Sequence, residues 1–439
     1  MAGYTVENID IRYDKEVLEN GLTVVTVQMP HIHTVELAMF VRAGLRFENE
    51  ANNGISHFLE HMLFRGNRKY PNSLALNREF ENIGRDLRAT TLTEYTYFGF
   101  NPHISNFRRG VELFAEFFLE PTFPEIELER QIIIEEYLED LNAEGINIDI
   151  DNMACSILYK GTPLAMTTVG SRKSIESISP GMLREYFYKN YVPGNMVLTA
   201  AGPVQHEEFV ELARKYFMGF PEGGQPVGKD YFVGTIVEDQ TEPVCKFQFD
   251  ANSQIQLQVC FRGVSYNHPD YCAMCLINRM FDDGVTSRLQ RALREARGLV
   301  YSVECRVTSA SDLGTLDFDV AVSSEKVGEV ARVLFQEIRS FVESGPLPEE
   351  LEHVKKRYIY DLDFDLDDPY KQIVRCGFTQ LYSQEMSIEE EKGIVNTLTV
   401  DDIARVACGI LKRERLNVIM VGPVTNEIEK EIEGIVASF

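Results

Sequence analysis

Apolar residues run and alternate over 22–29 and 35–41, which predicts two strands paired with each other. They then recur at three- and four-residue spacing, predicting helices over 55–64, 74–83, 104–118 and 125–141. Strands that come early, with helices following, point to an α+β layer in which helices pack on one face of a mostly antiparallel sheet.

The pattern occurs twice. Ile178-Ser179-Pro180-Gly181-Met182-Leu183 opens a helix that leads into the apolar run from Met196 to Ala201 and the turn Gly202-Pro203-Val204. Leu398-Thr399-Val400-Asp401-Asp402-Ile403 opens a second, leading into Leu416 to Val421 and Gly422-Pro423-Val424. The two helix starts and the two Gly-Pro-Val turns are separated by the same interval, half the chain, so two homologous domains are expected. The richest Gly/Pro stretch, from Gly219 to Gly228, places the division there. The expected domains are 1–222 and 235–439, with 223–234 as linker.

A chain of 439 residues suits two domains that each bury a full core, and its 44% apolar and 25% charged residues are globular values. The net charge of −25 disfavours nucleic acid, and an enclosed acidic cavity would attract basic peptides. The start, Met1 to Asp10, lacks the basic and apolar stretches of a secretory signal, and no apolar run is long enough to cross a membrane. Seven of the eight cysteines fall in the second half without a framework spacing, as expected of reduced thiols in a cytoplasmic protein. Cys272 and Cys275 form a C-x-x-C with no second pair to answer it, on a segment that reads as a buried helix; core packing is the expectation. His31, His33 and His103 read as loop or surface residues.

The chemistry concentrates in His57-Phe58-Leu59-Glu60-His61. On a helix, residues four apart share a face, so both imidazoles can reach one zinc ion, and Glu60 beside them can take a proton from metal-bound water. Two histidines and a water leave tetrahedral zinc one ligand short. The acidic helix from Glu125 to Glu139 is the source of the third: Glu129 and Glu136 lie two turns apart on one stripe, so one can ligate while the other orients a histidine. Spacing alone leaves Glu135 and Glu136 equal.

The stretch HFLEHMLFRG, followed later in the first half by Glu136 in ERQIIIEEYLED, resembles the inverted-zincin metallopeptidases related to pitrilysin, insulin-degrading enzyme and mitochondrial processing peptidase. The resemblance spans nearly the whole chain. It implies that His57, His61 and Glu136 hold one Zn2+ per chain, that Glu60 is the general base and that Glu129 supports a ligand. It also implies that Arg294 and Tyr301, seven apart in the second half, bind substrate backbone and the charge developing on the scissile carbonyl, chemistry that suits a cation and a phenol.

The family's substrate-pairing strand carries Asn-Ala-x-Thr; here Arg88, Ala89 and Thr90 lead to Thr91, with Arg88 in place of Asn. The strand can still accept a peptide by backbone pairing. No H-x-x-E-H lies in the second half, so that domain is expected to be catalytically silent. The resemblance thus implies a zinc endopeptidase acting on peptides or unfolded segments, as a homodimer in which each zinc faces the partner's Arg/Tyr pair, or as a heterodimer with a related chain. The rival reading is a non-catalytic scaffold subunit of the same fold.

Overall fold

The computed structural model of the chain describes residues 12–220, 240–382 and 386–439. In the first sheet, β1 (Arg12–Val17), β2 (Thr23–Gln28), β3 (Glu36–Val41), β4 (Arg88–Thr91), β5 (Thr96–Phe100) and β6 (Met196–Gly202) lie in the order β1-β2-β6-β3-β5-β4. In the second, β7 (Val244–Phe249), β8 (Ile255–Gly263), β9 (Val303–Ser309), β10 (Gly314–Val322) and β11 (Leu416–Gly422) lie in the order β7-β11-β8-β10-β9. Each sheet has one parallel pair, β2 with β6 and β7 with β11, and is otherwise antiparallel.

The expected pairing of the 22–29 and 35–41 strands is corrected: β6 lies between β2 and β3. All seven residues of β6 are buried, so it belongs in the middle of a sheet, and apolar patterning reports burial without naming the partner. The internal repeat, by contrast, is visible in register. Thr23 lies opposite Val197 and Val244 opposite Asn417, so each parallel pairing begins at the second residue of its central strand. Gly202 and Gly422 end the two central strands at φ 145° and 140°, where a Cβ would fall 2.7 Å from the Thr34 carbonyl oxygen and 2.6 Å from that of Gln254. The helices before them start as their sequences suggest. Ser179 accepts from the Met182 N–H with Pro180 at the first helical position, while Thr399 and Asp402 form a reciprocal capping box.

The helices that follow the strands pack on one face of each sheet. In the first, the buried rings of Phe80, Phe98, Phe100, Phe114, Phe117 and Phe118 interlock edge to face, with Phe98 5.1 Å from Phe118 and Phe80 4.8 Å from Phe100. Truncating one such ring to alanine costs about 3–5 kcal/mol.

The other face of each sheet is covered by a helix from the opposite half of the sequence. Helix Pro369–Tyr382 sets Ile373, Cys376 and Leu381 against Val25, Val27, Ala38 and Phe40 of the first sheet. Helix Ile150–Leu158 sets Met153, Ala154 and Leu158 against Cys260, Ile419 and Val421 of the second. The two compact units are accordingly 12–137, 167–220 and 363–382, and 138–166, 240–362 and 386–439. They differ from two contiguous halves by this exchange of segments; the expected linker, 223–234, lies outside the described residues. No helix among the described residues is long and apolar enough to cross a membrane.

Candidate metal centre

Helix Ile55–Phe64 carries His57, Glu60 and His61 and is held on nearly every side, with Ile55, Phe58, Leu59, Met62 and Leu63 in the first unit's core. A helix so enclosed has little freedom to rotate, so its two imidazoles are fixed relative to the sheet. Their rings stand 4.5 Å apart at 62°. Helix Ile126–Glu139 faces it. Three non-glycine residues in the loop leading to this second helix, Glu120, Phe123 and Glu125, take left-handed conformations, and the buried Phe123 ring anchors the loop. Arg130 then pins the helix: it donates to the Ile175 carbonyl and, at 2.8 Å, to that of Ile178, with its guanidinium 5.3 Å from the Phe58 ring.

Three donors converge. The Nε2 of His57 lies 3.3 Å from Glu136 Oε1, and the Nε2 of His61 lies 3.7 Å from Glu136 Oε2. One ligand atom from each of the three lies within 4.8 Å of the others. Zinc with bonds of about 2.0–2.1 Å and tetrahedral angles needs donors about 3.3 Å apart, close to the two imidazole–carboxylate distances. Glu135, one residue earlier, is exposed, and the packing of the two helices thereby separates a pair that spacing left equal.

Glu129, 5% exposed, accepts from His61 Nδ1 at 2.8 Å through one oxygen and from Arg65 Nε through the other. That bond places the proton on Nδ1 and leaves Nε2 bare for a metal. Burial opposes charge on His61, but the Glu129 hydrogen bond and the carboxylates of Glu60, Glu129 and Glu136 outweigh it and raise its pKa. Glu136 is held below the usual carboxylate range, first by the His57 hydrogen bond and against the effect of burial. Glu129 is lowered too, because His61 and Arg65 outweigh its burial. A cavity of about 320 Å³ lined by Glu60, His61, Phe64, Arg65, Ser73 and Glu129 opens beside these groups.

Strand β4 is an edge strand, and no strand pairs with its outer side among the described residues. Its side chains alternate. Ala89 packs on the core that holds the histidine helix, and Thr91 donates a 2.5 Å hydrogen bond to Glu60 Oε2. Arg88 turns the other way, pairing with the buried Glu36, donating to Asn101 at 2.7 Å and lying 5.6 Å from the Tyr370 ring. Thr90 is exposed. The Arg88 side chain is thus engaged on the face away from the histidine helix.

Arg294 and Tyr301 belong to the second unit. Arg294 lies on the π-helical turn Gln290–Glu295, half-exposed, with its guanidinium 6.0 Å from the Tyr301 ring. Tyr301 is 87% exposed, and so does not pack inward as a strand residue would. Sequence reasoning assigned Arg65 and Arg130 no role and showed Thr91 only as the last residue of the edge-strand motif, without its bond to Glu60. Arg65 had a signal, since it stands one turn after His61 on the same helical face; Arg130 had none, its partners being carbonyls 45 and 48 residues away.

Comparison with known proteins bears on this geometry. Residues 23–172 match the family model described as Insulinase (Peptidase family M16), and residues 177–358 match that described as Peptidase M16 inactive domain. The chain is 27% identical to a probable mitochondrial-processing peptidase subunit beta of Schizosaccharomyces pombe, over 93% of this chain and 90% of that one. It is also 27% identical to an uncharacterized zinc protease of Mycobacterium tuberculosis, over 92% of each. The crystal structure of a protease from Helicobacter pylori has the same fold, with a TM-score of 0.83 at 18% identity over 94% of this chain and 99% of that one.

Proposed function

The chain belongs to the M16 (insulinase) peptidase family, in its two-domain form, and from that premise we propose that it is a zinc-dependent endopeptidase cleaving peptides or unfolded protein segments. The observation that carries the reading is the convergence of His57, His61 and Glu136 beside Glu60. Relatives named as zinc proteases support the choice of metal. Bound there, zinc supplies a Lewis acid and acidifies water.

The chain's own groups do the rest. Glu60, held by Thr91 through one oxygen, accepts a proton from the attacking water and returns it to the leaving amine. Glu129 keeps His61 in the tautomer that can ligate. The outer edge of β4 pairs with the extended substrate backbone, which needs no particular side chain. Arg294 and Tyr301 donate hydrogen bonds to substrate. A basic substrate suits a chain of net charge −25, and a reducing cytoplasm suits its cysteine pattern.

We take the assembly to be a homodimer. Similarity to chains named as a beta subunit favours a second arrangement, pairing with a related chain. The test of the activity is a pair of variants. Glu60→Gln is expected to retain zinc and lose turnover, and His61→Ala to lose both. Full activity in Glu60→Gln would refute the reading, and wild-type protein that retains no zinc would favour a non-catalytic scaffold.

A further inference from the structure

A helix needs partners for its first N–H groups, and the histidine helix has no side chain at its N-cap to provide one. The N-cap is Gly54, at φ 86°, where a Cβ would fall 2.4 Å from the Val169 carbonyl oxygen and 2.8 Å from Gly170 Cα. No Ser, Thr, Asp or Asn can stand there. The partner comes from upstream in the chain. Glu48 Oε2 accepts from the Gly54 N–H at 2.7 Å and from Asn53 Nδ2 at 3.2 Å, while Oε1 accepts from the Ser56 N–H at 2.9 Å. Glu48 is 3% exposed and pairs with no cation among the described residues. Its countercharge is the positive end of the helix.

Two further observations tie this carboxylate to the metal centre. His61 is oriented through its ring by Glu129, whereas His57 Nδ1 is buried with no hydrogen-bond partner among the described residues. The placement of His57 therefore depends on its backbone, which begins one residue after the Ser56 N–H that Glu48 holds. The same short turn reaches the edge strand as well. Arg46, two residues before Glu48, forms a 2.8 Å ion pair with Glu94 in which both side chains are almost fully buried, and its N–H donates to the Thr93 carbonyl at 2.8 Å. Glu94 and Thr93 lie in the turn just beyond Thr91, the residue bonded to Glu60.

We propose that Glu48 is a positioning residue for the metal centre, an N-cap supplied from outside the helix that sets His57 against His61 and Glu136. This rests on the zinc reading given above and adds to it a residue that touches neither metal nor substrate. Burial pushes the Glu48 carboxyl above its ordinary pKa, against the hydrogen bonds from Ser56, Gly54 and Asn53, which favour the charged form.

The test uses the full chain, with zinc affinity read by competition against a chromogenic chelator, beside kcat and KM. Glu48→Ala is expected to weaken zinc binding about ten- to a hundredfold, a range typical of groups that orient ligands. Its kcat should fall with KM little changed. Glu48→Gln, which keeps one acceptor, should show a smaller loss and carries the test if the alanine variant does not fold. Phe209→Leu, on helix His206–Phe217 in the core of the same unit, serves as the stability control and should keep wild-type zinc affinity at a comparable drop in Tm. Wild-type affinity in the Glu48 variants, or an equal loss in Phe209→Leu, overturns the proposal. A wild-type chain that binds no zinc overturns the metal reading instead, so the two failures are distinguishable.

Discussion

Thr91 donates a 2.5 Å hydrogen bond to Glu60, joining the edge strand of the first sheet to the helix that carries both histidines. A general base must present one oxygen to water while the other is held still, and Thr91 occupies Oε2. Thr91→Val preserves the shape and removes the donor. It is expected to lower kcat about tenfold, near 1.4 kcal/mol of barrier, with zinc content unchanged. Thr91→Ser should recover most of the loss, and steady-state kinetics on the three proteins checks both.

The raised pKa of His61 makes zinc uptake sensitive to acid. In the metal-free chain the protonated ring is favoured by Glu129, Glu60 and Glu136, so its contribution to stability is complete below the ordinary value of about 6.5 and is lost as pH rises through the raised value. Protons compete with zinc over the same window. Zinc affinity should therefore decline, as pH falls, from a higher pH than an ordinary histidine would give. Glu129→Gln removes part of the cause and should move the midpoint to lower pH, while weakening affinity about ten- to a hundredfold at neutral pH. Zinc titrations from pH 5 to 8 on both proteins measure it, and coincident midpoints would contradict the assignment.

A second titrating group lies in the other unit. Burial pushes the Asp317 carboxyl up to about 7, against a 2.7 Å hydrogen bond from Thr315 that favours the charged form. The folded state then holds a proton that the unfolded chain releases near 4, so stability falls between about pH 4 and 7 and is flat above. Asp317→Asn, neutral at every pH, should raise stability at pH 8 by up to a few kcal/mol and change it little at pH 4. Urea melts at the two pH values decide it.

Sharing of sites between two copies is testable by mixing. If each zinc works with the Arg294 and Tyr301 of the partner, Glu60→Gln and Tyr301→Phe chains are each weak alone but recover up to one complete site per dimer when combined. No gain over the separate proteins after subunit exchange would count against the shared homodimer.

The spacing of His57, Glu60 and His61 was legible in the sequence because a helix imposes it locally: residues four apart share a face wherever the helix lies. The duplication was legible for the same reason, since a cap, an apolar run and a glycine that must meet a crossing chain recur at one fixed interval. Other features depend on which distant segments pack together, and no local period encodes that. The insertion of β6 between β2 and β3 is one, and the exchanged helices Ile150–Leu158 and Pro369–Tyr382 are another. The choice of Glu136 over Glu135 follows from how two helices from separate stretches of the chain meet. Glu48 is the clearest case. In sequence it is one acid among 68; only the fold, by closing Gly54 against Val169 and burying Leu45 and Arg46, turns it into the cap of the histidine helix.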